Sequence, residues 1–567
     1  MATAKQGKSL GESLVEEGII TREQLIQAQE EEKRTGLRFR KVVVQMGFIE
    51  EEDLGAFLSA RLGVPRIELE NTLIDPKIIE LVPEDLARKY ELVPVLKIGN
   101  RLTCAMVDPW NVFALDELRV KTDLVIEPAV ATEAEIKKAL DECYGAKGTL
   151  EEVVQSIDEE KLGLEGGKAP DLKKLEGIAK EPIVIKLVNL MIMKAVREGA
   201  SDIHIEPEEE ILKARFRLDG VLHDVASLPK HLQSAIISRI KILAKLDIAE
   251  RRIPQDGRFH MKMDGRTMDF RVSSMPTIYG ENLVLRLLDA SSGPRTLSQL
   301  GFSKEMLVQY EKLISRPHGI ILVTGPTGSG KTTTLYASLA KINSVEKNIV
   351  TIEDPVEYRL PGVRPTQVNP KIHLTFANGL RSILRQDPDV IMVGEIRDLE
   401  TAEIAIQAAL TGHLVLSTLH TNDAASTFMR LIDMGVEPFL ISSSVIGILA
   451  QRLVRTICKD CRHEHAPSRE ALEDIGLLDR EKGTPKFYQG KGCPKCRNTG
   501  YRGRIGIFEL LIPDEKVRRL AVSKASVEEI RKQARALGMT TLKEDGINKI
   551  RDGFTTIEEV LRATQEE

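Results

Sequence analysis

The sequence has few cysteines, few aromatic residues and no long apolar run. Six cysteines in 567 residues are too few for the disulfide scaffold of a small secreted domain. No apolar stretch approaches the roughly 18 residues that a membrane-spanning helix needs. The amino terminus lacks the apolar core of a secretory signal peptide. We therefore expect a cytoplasmic protein with no transmembrane segment.

Neither sign of charge is in large excess. The chain has 80 Lys and Arg against 85 Asp and Glu, a formal net charge of −5. Because affinity for nucleic acid rests largely on basic surfaces, we expect no nucleic-acid partner. Hydrophobic residues make up 42% of the chain, enough to bury sizeable cores. At about 150 residues per domain, the length predicts roughly four domains.

Changes of pattern along the chain predict an α/β protein with several segments. A short repeat, Gly18–Leu25 echoed by Gly47–Leu54, predicts paired helices, with Thr21 as a helix N-cap. Strand-like runs alternate with helical ones near the C-terminus, which is typical of a parallel sheet. The predicted segments are a helical repeat module at 1–70, a mixed α/β module at 71–145, a linker at 146–180, an α+β domain at 181–294, and an α/β domain at 295–567 with an insert at 455–500.

A phosphate-binding loop is the most specific motif. An apolar strand-like run, Gly319–Thr324, leads into a glycine-rich loop and then a helical pattern. Such a loop binds phosphate through backbone N–H groups and a helix N-terminus, with a lysine for the β- and γ-phosphates and a hydroxyl, here Thr332, for Mg²⁺. A structural glycine-rich turn is the alternative, which this strand–loop–helix context disfavours. The predicted nucleotide-binding residues are Gly325, Pro326, Thr327, Gly328, Ser329, Gly330, Lys331, Thr332 and Thr333.

Acidic residues follow two other strand-like runs. The run Asp389–Glu395 ends in a glutamate, which we predict to activate the attacking water. Gly394 stands where many such proteins carry an aspartate for Mg²⁺, so other acids must serve the metal. Glu353, Asp354 and Glu357 follow the run Asn348–Ile352, and we predict that they position metal or water. The alternative for these three is a solvated strand end.

Two histidines flank a third apolar run. His420 follows the run, at the strand end where active-site loops gather, and we predict that it senses the γ-phosphate. His413 precedes the run and is a weaker candidate for nucleotide binding. For either one, a purely structural role is the alternative.

Four of the six cysteines form two Cys-x-x-Cys pairs. Cys458, Cys461, Cys493 and Cys496 have the spacing of a tetrahedral structural zinc site. A redox dithiol is the rival interpretation, and His463 and His465 are potential substitute ligands. The length of the intervening segment is no objection, because doubling a loop costs only about 0.6 kcal/mol.

Taken together, these motifs resemble those of the ATPases of type IV pilus and type II secretion systems. That family has an acidic box, an atypical Walker B strand and a histidine box, which match Thr351–Glu357, Ile391–Glu395 and Gly412–Asp423. The α+β domain is similar to the family's PAS-like N2 domain at Ala200–Pro207, Arg215–Gly220 and Pro254–Arg258.

The resemblance implies a RecA-like P-loop ATPase domain, preceded by a PAS-like α+β domain and a small helical or mixed N-terminal domain. It also implies a homohexamer in which the N2 domain closes over ATP, so that an arginine reaches the phosphates. Arg217 is the favoured candidate, and the others are Arg215, Arg258, Arg381 and Arg385. For each of them, a surface or structural ion pair is the alternative.

The function that the resemblance implies is a motor that hydrolyses ATP to extend a type IV pilus. Such a motor is peripheral at the cytoplasmic face of the inner membrane and acts through an integral platform protein. The alternatives are a type II secretion ATPase, a DNA translocase, and a regulatory nucleotide-binding scaffold with little turnover.

The N-terminal repeat resembles a domain that in some relatives binds cyclic di-GMP through paired Arg-Leu-Gly-x-x-Leu-Leu-x-x-Gly motifs. The two copies here are Ser9–Gly18 and Arg38–Gly47. Ser9 replaces the arginine of the first copy, and Arg40 replaces the first glycine of the second. These changes remove a cationic contact and block close backbone approach. Cyclic di-GMP binding and docking to the membrane platform therefore both stay open.

Overall fold

The computed structural model describes residues 10–37, 39–109, 111–144, 177–179, 181–289, 293, 295–477 and 486–565. The chain divides into two compact units, Met1–Ser291 and Ser292–Glu567. The predicted linker at 146–180 lies outside the described residues except at 177–179. Among the described helices, none is long and apolar enough to cross a membrane.

The first unit begins with four helices that pack around a common apolar core. Leu14, Leu25, Val43 and Leu54 belong to this core. Thr21 is the N-cap of the second helix: its side chain accepts from the backbone N–H of Gln24, as its position predicts. The helices are α1 (Leu10–Glu16), α2 (Arg22–Thr35), α3 (Phe39–Gln45) and α4 (Glu51–Leu62).

A three-stranded sheet with short helices follows. Strand β3 pairs antiparallel with β2 and parallel with β4. The last helix starts after Thr132, which forms a reciprocal cap with Glu135. The elements are β1 (Thr72–Leu73), α5 (Pro76–Ile79), α6 (Glu84–Lys89), β2 (Leu92–Ile98), β3 (Arg101–Met106), α7 (Val112–Thr122), β4 (Val125–Val130) and α8 (Glu133–Tyr144).

The rest of the first unit is a seven-stranded sheet with two long helices. Its order is β1-β8-β9-β10-β5-β6-β7, antiparallel except where β1 joins β8. The strand β1 comes from the preceding module, so the two modules share a sheet. The elements are α9 (Pro182–Glu198), β5 (Asp202–Pro207), β6 (Ile211–Leu218), β7 (Val221–Pro229), α10 (Gln233–Leu243), β8 (Gln255–Met263), β9 (Arg266–Thr277) and β10 (Gly280–Asp289).

A buried ion pair ties helix α10 to strand β10. The Lys241 Nζ lies 2.7 Å from Glu281 Oε1, and the two side chains are only 1% and 6% exposed. Lys241 also donates to the carbonyl oxygen of Glu250, and the Ser274 hydroxyl donates to Glu281. Both charged groups are buried away from water, and these hydrogen bonds from the protein take the place of hydration.

The second unit is built on a seven-stranded sheet of order β13-β12-β14-β15-β11-β16-β19. Neighbouring strands are parallel except β16 and β19. Apolar cores cover both faces: Ile320 and Leu322 face one core, and Ile321 and Val323 face the other. A strand buried on both faces reads as a continuous apolar run, which is why these strands stand out in the sequence.

The strands of that sheet are β11 (Gly319–Thr324), β12 (Ile349–Glu353), β13 (Val363–Gln367), β14 (Val390–Val393), β15 (Leu414–Leu419), β16 (Val445–Ile457) and β19 (Tyr501–Leu511). The helices around it are α11 (Lys304–Ile314), α12 (Lys331–Ile342), α13 (Phe376–Ile383), α14 (Leu399–Leu410), α15 (Ser426–Asp433) and α16 (Pro438–Ser444).

Between β16 and β19 the chain forms a small hairpin, and after β19 it ends in four helices. The hairpin strands β17 (Arg462–His465) and β18 (Phe487–Gly490) pair antiparallel. The helix between the two hairpin strands is α17 (Arg469–Ile475), and the four helices after β19 are α18 (Glu515–Val522), α19 (Val527–Ala536), α20 (Leu542–Arg551) and α21 (Ile557–Thr564).

Replacing Lys241 by Met should leave the Glu281 carboxylate buried without its cation. We expect a loss of about 3–5 kcal/mol in the free energy of unfolding, measured as a lower urea midpoint for the first unit. The double change Lys241→Met with Glu281→Leu should recover most of the loss, since no unpaired charge remains. A single variant that unfolds at the wild-type urea concentration would contradict this account.

Candidate active site

The phosphate-binding loop has the predicted strand–loop–helix geometry. Strand β11 ends at Thr324, and helix α12 begins at Lys331. Gly330 has φ +90°, a conformation that favours glycine. A Cβ on Gly325 would lie 2.5 Å from the carbonyl oxygen of Gln451, so a side chain there would collide with strand β16. The loop therefore requires glycine at both positions.

The Lys331 side chain folds back over this loop. Its Nζ donates to the carbonyl oxygens of Gly325 at 2.8 Å and Pro326 at 3.0 Å. Burial lowers the pKa of Lys331 to about 8, because a low-polarity environment disfavours the charged form. An anionic phosphate in the loop would favour the charge again. Thr332 is exposed beside it, where its hydroxyl is available to a metal ion.

Glu395 and His420 lie together near this lysine. Glu395 follows β14, its side chain is 17% exposed, and it forms an ion pair with Arg397. Its Oε2 lies 3.6 Å from His420 Nε2. Burial, and then the charge of Lys331, lower the pKa of His420, which favours the neutral imidazole. The structure thus brings together three predicted site residues: Glu395, His420 and Lys331.

Threonine side chains connect the strand ends that carry these residues. The Thr418 hydroxyl donates to the carbonyl oxygen of Gly394 at 2.8 Å, joining β15 to the end of β14. The Thr324 and Thr421 hydroxyls lie 2.6 Å apart, joining the end of β11 to the loop after β15. These bonds hold Glu395 and His420 at fixed positions relative to the phosphate-binding loop.

The three acids of the acidic box differ in environment. Glu353 is 3% exposed, and it accepts hydrogen bonds from Thr351 and Tyr336. Burial raises the pKa of Glu353. Asp354 is exposed and Glu357 is half-buried. The alternative interpretation, a solvated strand end, therefore fits Asp354 but not Glu353.

His413 lies at the other edge of the sheet. It precedes the six-residue strand β15, which at about 3.3 Å per residue separates it from His420 by roughly 20 Å. Its Nδ1 lies 2.9 Å from the carbonyl oxygen of Ala408. The structure does not bring His413 to the phosphate-binding loop.

The candidate arginines are divided between the two units. In the first unit, Arg215 pairs with Glu206 at 2.6 Å and Arg217 donates to the carbonyl oxygen of Gly220, whereas Arg258 is exposed. In the second unit, Arg381 pairs with Glu400 at 2.7 Å, and Arg385 donates to the carbonyl oxygen of Arg381. Their roles toward phosphate stay predictions.

Residues that the sequence interpretation missed also line the loop. Gln451 accepts from the Thr334 hydroxyl at 2.7 Å, and the buried Arg452 donates to the carbonyl oxygen of Asn422 at 2.8 Å. The signal was present, because Gln451 and Arg452 interrupt an otherwise apolar strand. Tyr336 gave no such signal, since an aromatic residue on a helix normally indicates core packing.

The four predicted zinc ligands meet in one cluster. Their sulfur atoms all lie within 4.8 Å of one another. Sγ–Sγ distances are 3.9 Å for Cys458–Cys493, 3.7 Å for Cys461–Cys496 and 3.6 Å for Cys493–Cys496. Four sulfurs about 2.3 Å from a tetrahedral Zn²⁺ would be about 3.8 Å apart, so the cluster fits this ion. Cys104 is buried elsewhere, and burial raises the pKa of its thiol to about 12.

In the N-terminal repeat, Ser9 and Arg38 lie outside the described residues. Arg40, which stands at the glycine position of the second copy, is half-buried. Burial lowers the pKa of its guanidinium. The long side chain of Arg40 therefore packs at a position where the cyclic di-GMP motif has glycine.

The fold and the site define a P-loop ATPase of the RecA-like class, preceded by α+β and helical modules. The family described as type II/IV secretion system protein matches residues 178–562, and the MshEN domain matches residues 62–150. This chain belongs to the type II/IV secretion system protein family and is one of its ATPases. The resemblance to pilus and secretion ATPases is thereby confirmed.

Several relatives match nearly the whole chain. The type IV pilus assembly ATPase PilB of Myxococcus xanthus is 47% identical over 98% of this chain and 98% of its own length. The type II secretion system protein E of Xanthomonas campestris is 43% identical over 98% of each. Among solved structures, the ATPase DotB of Yersinia pseudotuberculosis superposes with a TM-score of 0.50, covering 67% of this chain and 94% of its own, at 20% identity. That likeness concerns the fold alone.

Proposed function

We propose that this ATPase is the motor of type IV pilus assembly. The main support is the Myxococcus xanthus relative, a type IV pilus assembly ATPase that matches along the whole chain. The MshEN match at residues 62–150 extends the similarity beyond the catalytic unit. Three predicted site residues, Lys331, Glu395 and His420, also lie close together in the structure.

In this proposal, Gly325–Thr333 binds the phosphates of ATP and Lys331 neutralises the β- and γ-phosphates. Glu395 accepts a proton from the attacking water, and the neutral His420 donates a hydrogen bond to the γ-phosphate. The observation that carries this assignment is the 3.6 Å separation of Glu395 and His420 close to Lys331. Mg²⁺, when bound, would neutralise developing phosphate charge. Thr332 is its candidate ligand, and Glu353, Asp354 and Glu357 are the candidate acids that would position the metal or the attacking water.

Mechanical work requires that hydrolysis change the contacts between domains or subunits. We propose a homohexamer, peripheral at the cytoplasmic face of the inner membrane, that acts on an integral platform protein. Closure of the PAS-like domain would bring an arginine to the phosphates, where it offsets charge only in the closed state. Arg217 remains the first candidate, followed by Arg215 and Arg258.

A type II secretion ATPase is the second candidate, favoured by the Xanthomonas campestris relative. Both machines would use the same catalytic residues, so measurements of catalysis do not distinguish pilus assembly from type II secretion. Neighbouring genes would distinguish them: pilin genes favour the first function, and genes for secretion-channel proteins favour the second. A DNA translocase is the third candidate, and ATP hydrolysis stimulated by DNA would favour it.

The N-terminal modules are the proposed regulatory or docking part of the motor. Cyclic di-GMP remains the candidate ligand implied by the resemblance, and the MshEN match at residues 62–150 lies beyond the repeat that carries the two motif copies. The half-buried Arg40 weighs against it, because it fills a position that the motif leaves to glycine.

Replacing Glu395 by Gln should abolish catalysis while preserving ATP binding. We expect kcat to fall by about 10²–10⁴, because the amide does not accept the proton of water. Steady-state ATP hydrolysis and binding of a fluorescent ATP analogue measure the two effects. Glu403→Gln, an exposed carboxylate on helix α14, is the matched control. Normal hydrolysis by Glu395→Gln would refute the assigned mechanism.

We also propose that Cys458, Cys461, Cys493 and Cys496 hold a structural Zn²⁺. The purified chain should then contain about one zinc ion, measured by atomic emission. Cys496→Ser should remove most of it and lower the unfolding temperature, because structural zinc contributes folding energy. Cys143→Ser, which changes a thiol outside the cluster, should retain zinc. A wild-type chain that binds no zinc but forms disulfides within the cluster would support the redox alternative.

A further inference from the structure

A buried polar cluster joins helix α12 to strand β12, and Glu353 is the one member of it that the mechanism above uses. Its members are Tyr336 on helix α12, Thr351 and Glu353 on strand β12, and the main chain at Tyr358. Tyr336 is 1% exposed, Thr351 0% and Glu353 3%. Burial of so many polar groups is unfavourable unless each is hydrogen-bonded, so the cluster needs an explanation.

One hydroxyl group contacts the acidic box on both sides of Asp354 and Glu357. The Tyr336 hydroxyl lies 2.7 Å from Oε2 and 2.9 Å from Oε1 of Glu353, the first acid of the box. It also lies 3.1 Å from the carbonyl oxygen of Tyr358, the residue that follows the box. Asp354 and Glu357 are therefore in a short loop whose two ends meet at this hydroxyl.

Two further contacts make this arrangement rigid. The Thr351 hydroxyl donates to Glu353 Oε1 at 2.6 Å, which fixes the orientation of the carboxyl group. The Tyr336 and Tyr358 rings pack edge to face, with centroids 5.0 Å apart. Because Tyr336 is on the helix that begins at Lys331, the acidic box is tied to the phosphate-binding loop itself.

We propose that Tyr336 is a positioning residue for ATP hydrolysis, which holds the carboxylates of Asp354 and Glu357 at a fixed place relative to the phosphates. This inference rests on the proposed role of those two acids in placing metal or water. Tyr336 does not touch the nucleotide in this account; it acts through the ends of the loop. Small displacements of groups that orient reactants reduce rates strongly.

Tyr336→Phe keeps the ring and removes only the hydroxyl. We expect kcat of the full-length protein to fall about tenfold, with KM for ATP within about twofold of wild type, because binding depends on the loop and not on the acids. The matched control is Tyr310→Phe. The Tyr310 hydroxyl is also fully buried and lies 2.9 Å from Ser338 Oγ on the same helix, but it does not reach the acidic box.

A double-mutant comparison separates positioning from simple stabilisation. In a chain that already carries Asp354→Asn and Glu357→Gln, Tyr336→Phe should change kcat by less than about twofold, because the groups it positions are gone. The inference would be overturned if Tyr336→Phe kept the wild-type kcat, or if Tyr310→Phe lowered kcat as much as Tyr336→Phe does. It would also be overturned if the kcat losses from Tyr336→Phe and from the two acid substitutions multiplied as independent effects. Glu395→Gln measured in parallel keeps the outcomes distinct: if it hydrolyses ATP normally, the proposed mechanism itself fails.

Discussion

The parallel pairing of β11, β14 and β15 is the constraint on which the site depends. Just beyond their carboxyl ends lie three predicted parts of the site: the phosphate-binding loop after β11, Glu395 after β14 and His420 after β15. In a parallel sheet these ends lie at one edge, so the strand direction alone brings together residues that are far apart in sequence. The hydrogen bonds from Thr418 to Gly394 and between Thr324 and Thr421 then fix the distances.

Buried charge distinguishes this edge from the rest of the sheet. Lys331, Glu353 and Arg452 all lie in low-polarity surroundings, and each is hydrogen-bonded to protein groups. Such groups are costly to bury, but interactions with a charged ligand are strong where water is excluded. Lys331 illustrates the consequence, because the carbonyl oxygens that hold its ammonium are weaker partners than a phosphate would be.

The parts of the fold and of the site that were predictable are those that depend on local sequence. The loop before Lys331, the four cysteines and the cap at Thr21 follow from spacing alone, and the structure shows each in the expected geometry. Tyr336 was not predictable, because its partners come from β12 and a distant loop. The position of His413 is instructive: only the strand direction decides which of two flanking histidines reaches the site. Likewise, no local pattern reveals that β1 joins the sheet of the next module.

The central claim is that Glu395 activates the attacking water. A structure of the full chain with Mg²⁺ and a non-hydrolysable ATP analogue tests it most directly. The account predicts an ordered water within hydrogen-bond distance, about 3 Å, of both a Glu395 carboxylate oxygen and the γ-phosphate, with His420 on a γ-phosphate oxygen. A Glu395 that stays paired with Arg397 while another carboxylate holds the water would contradict it.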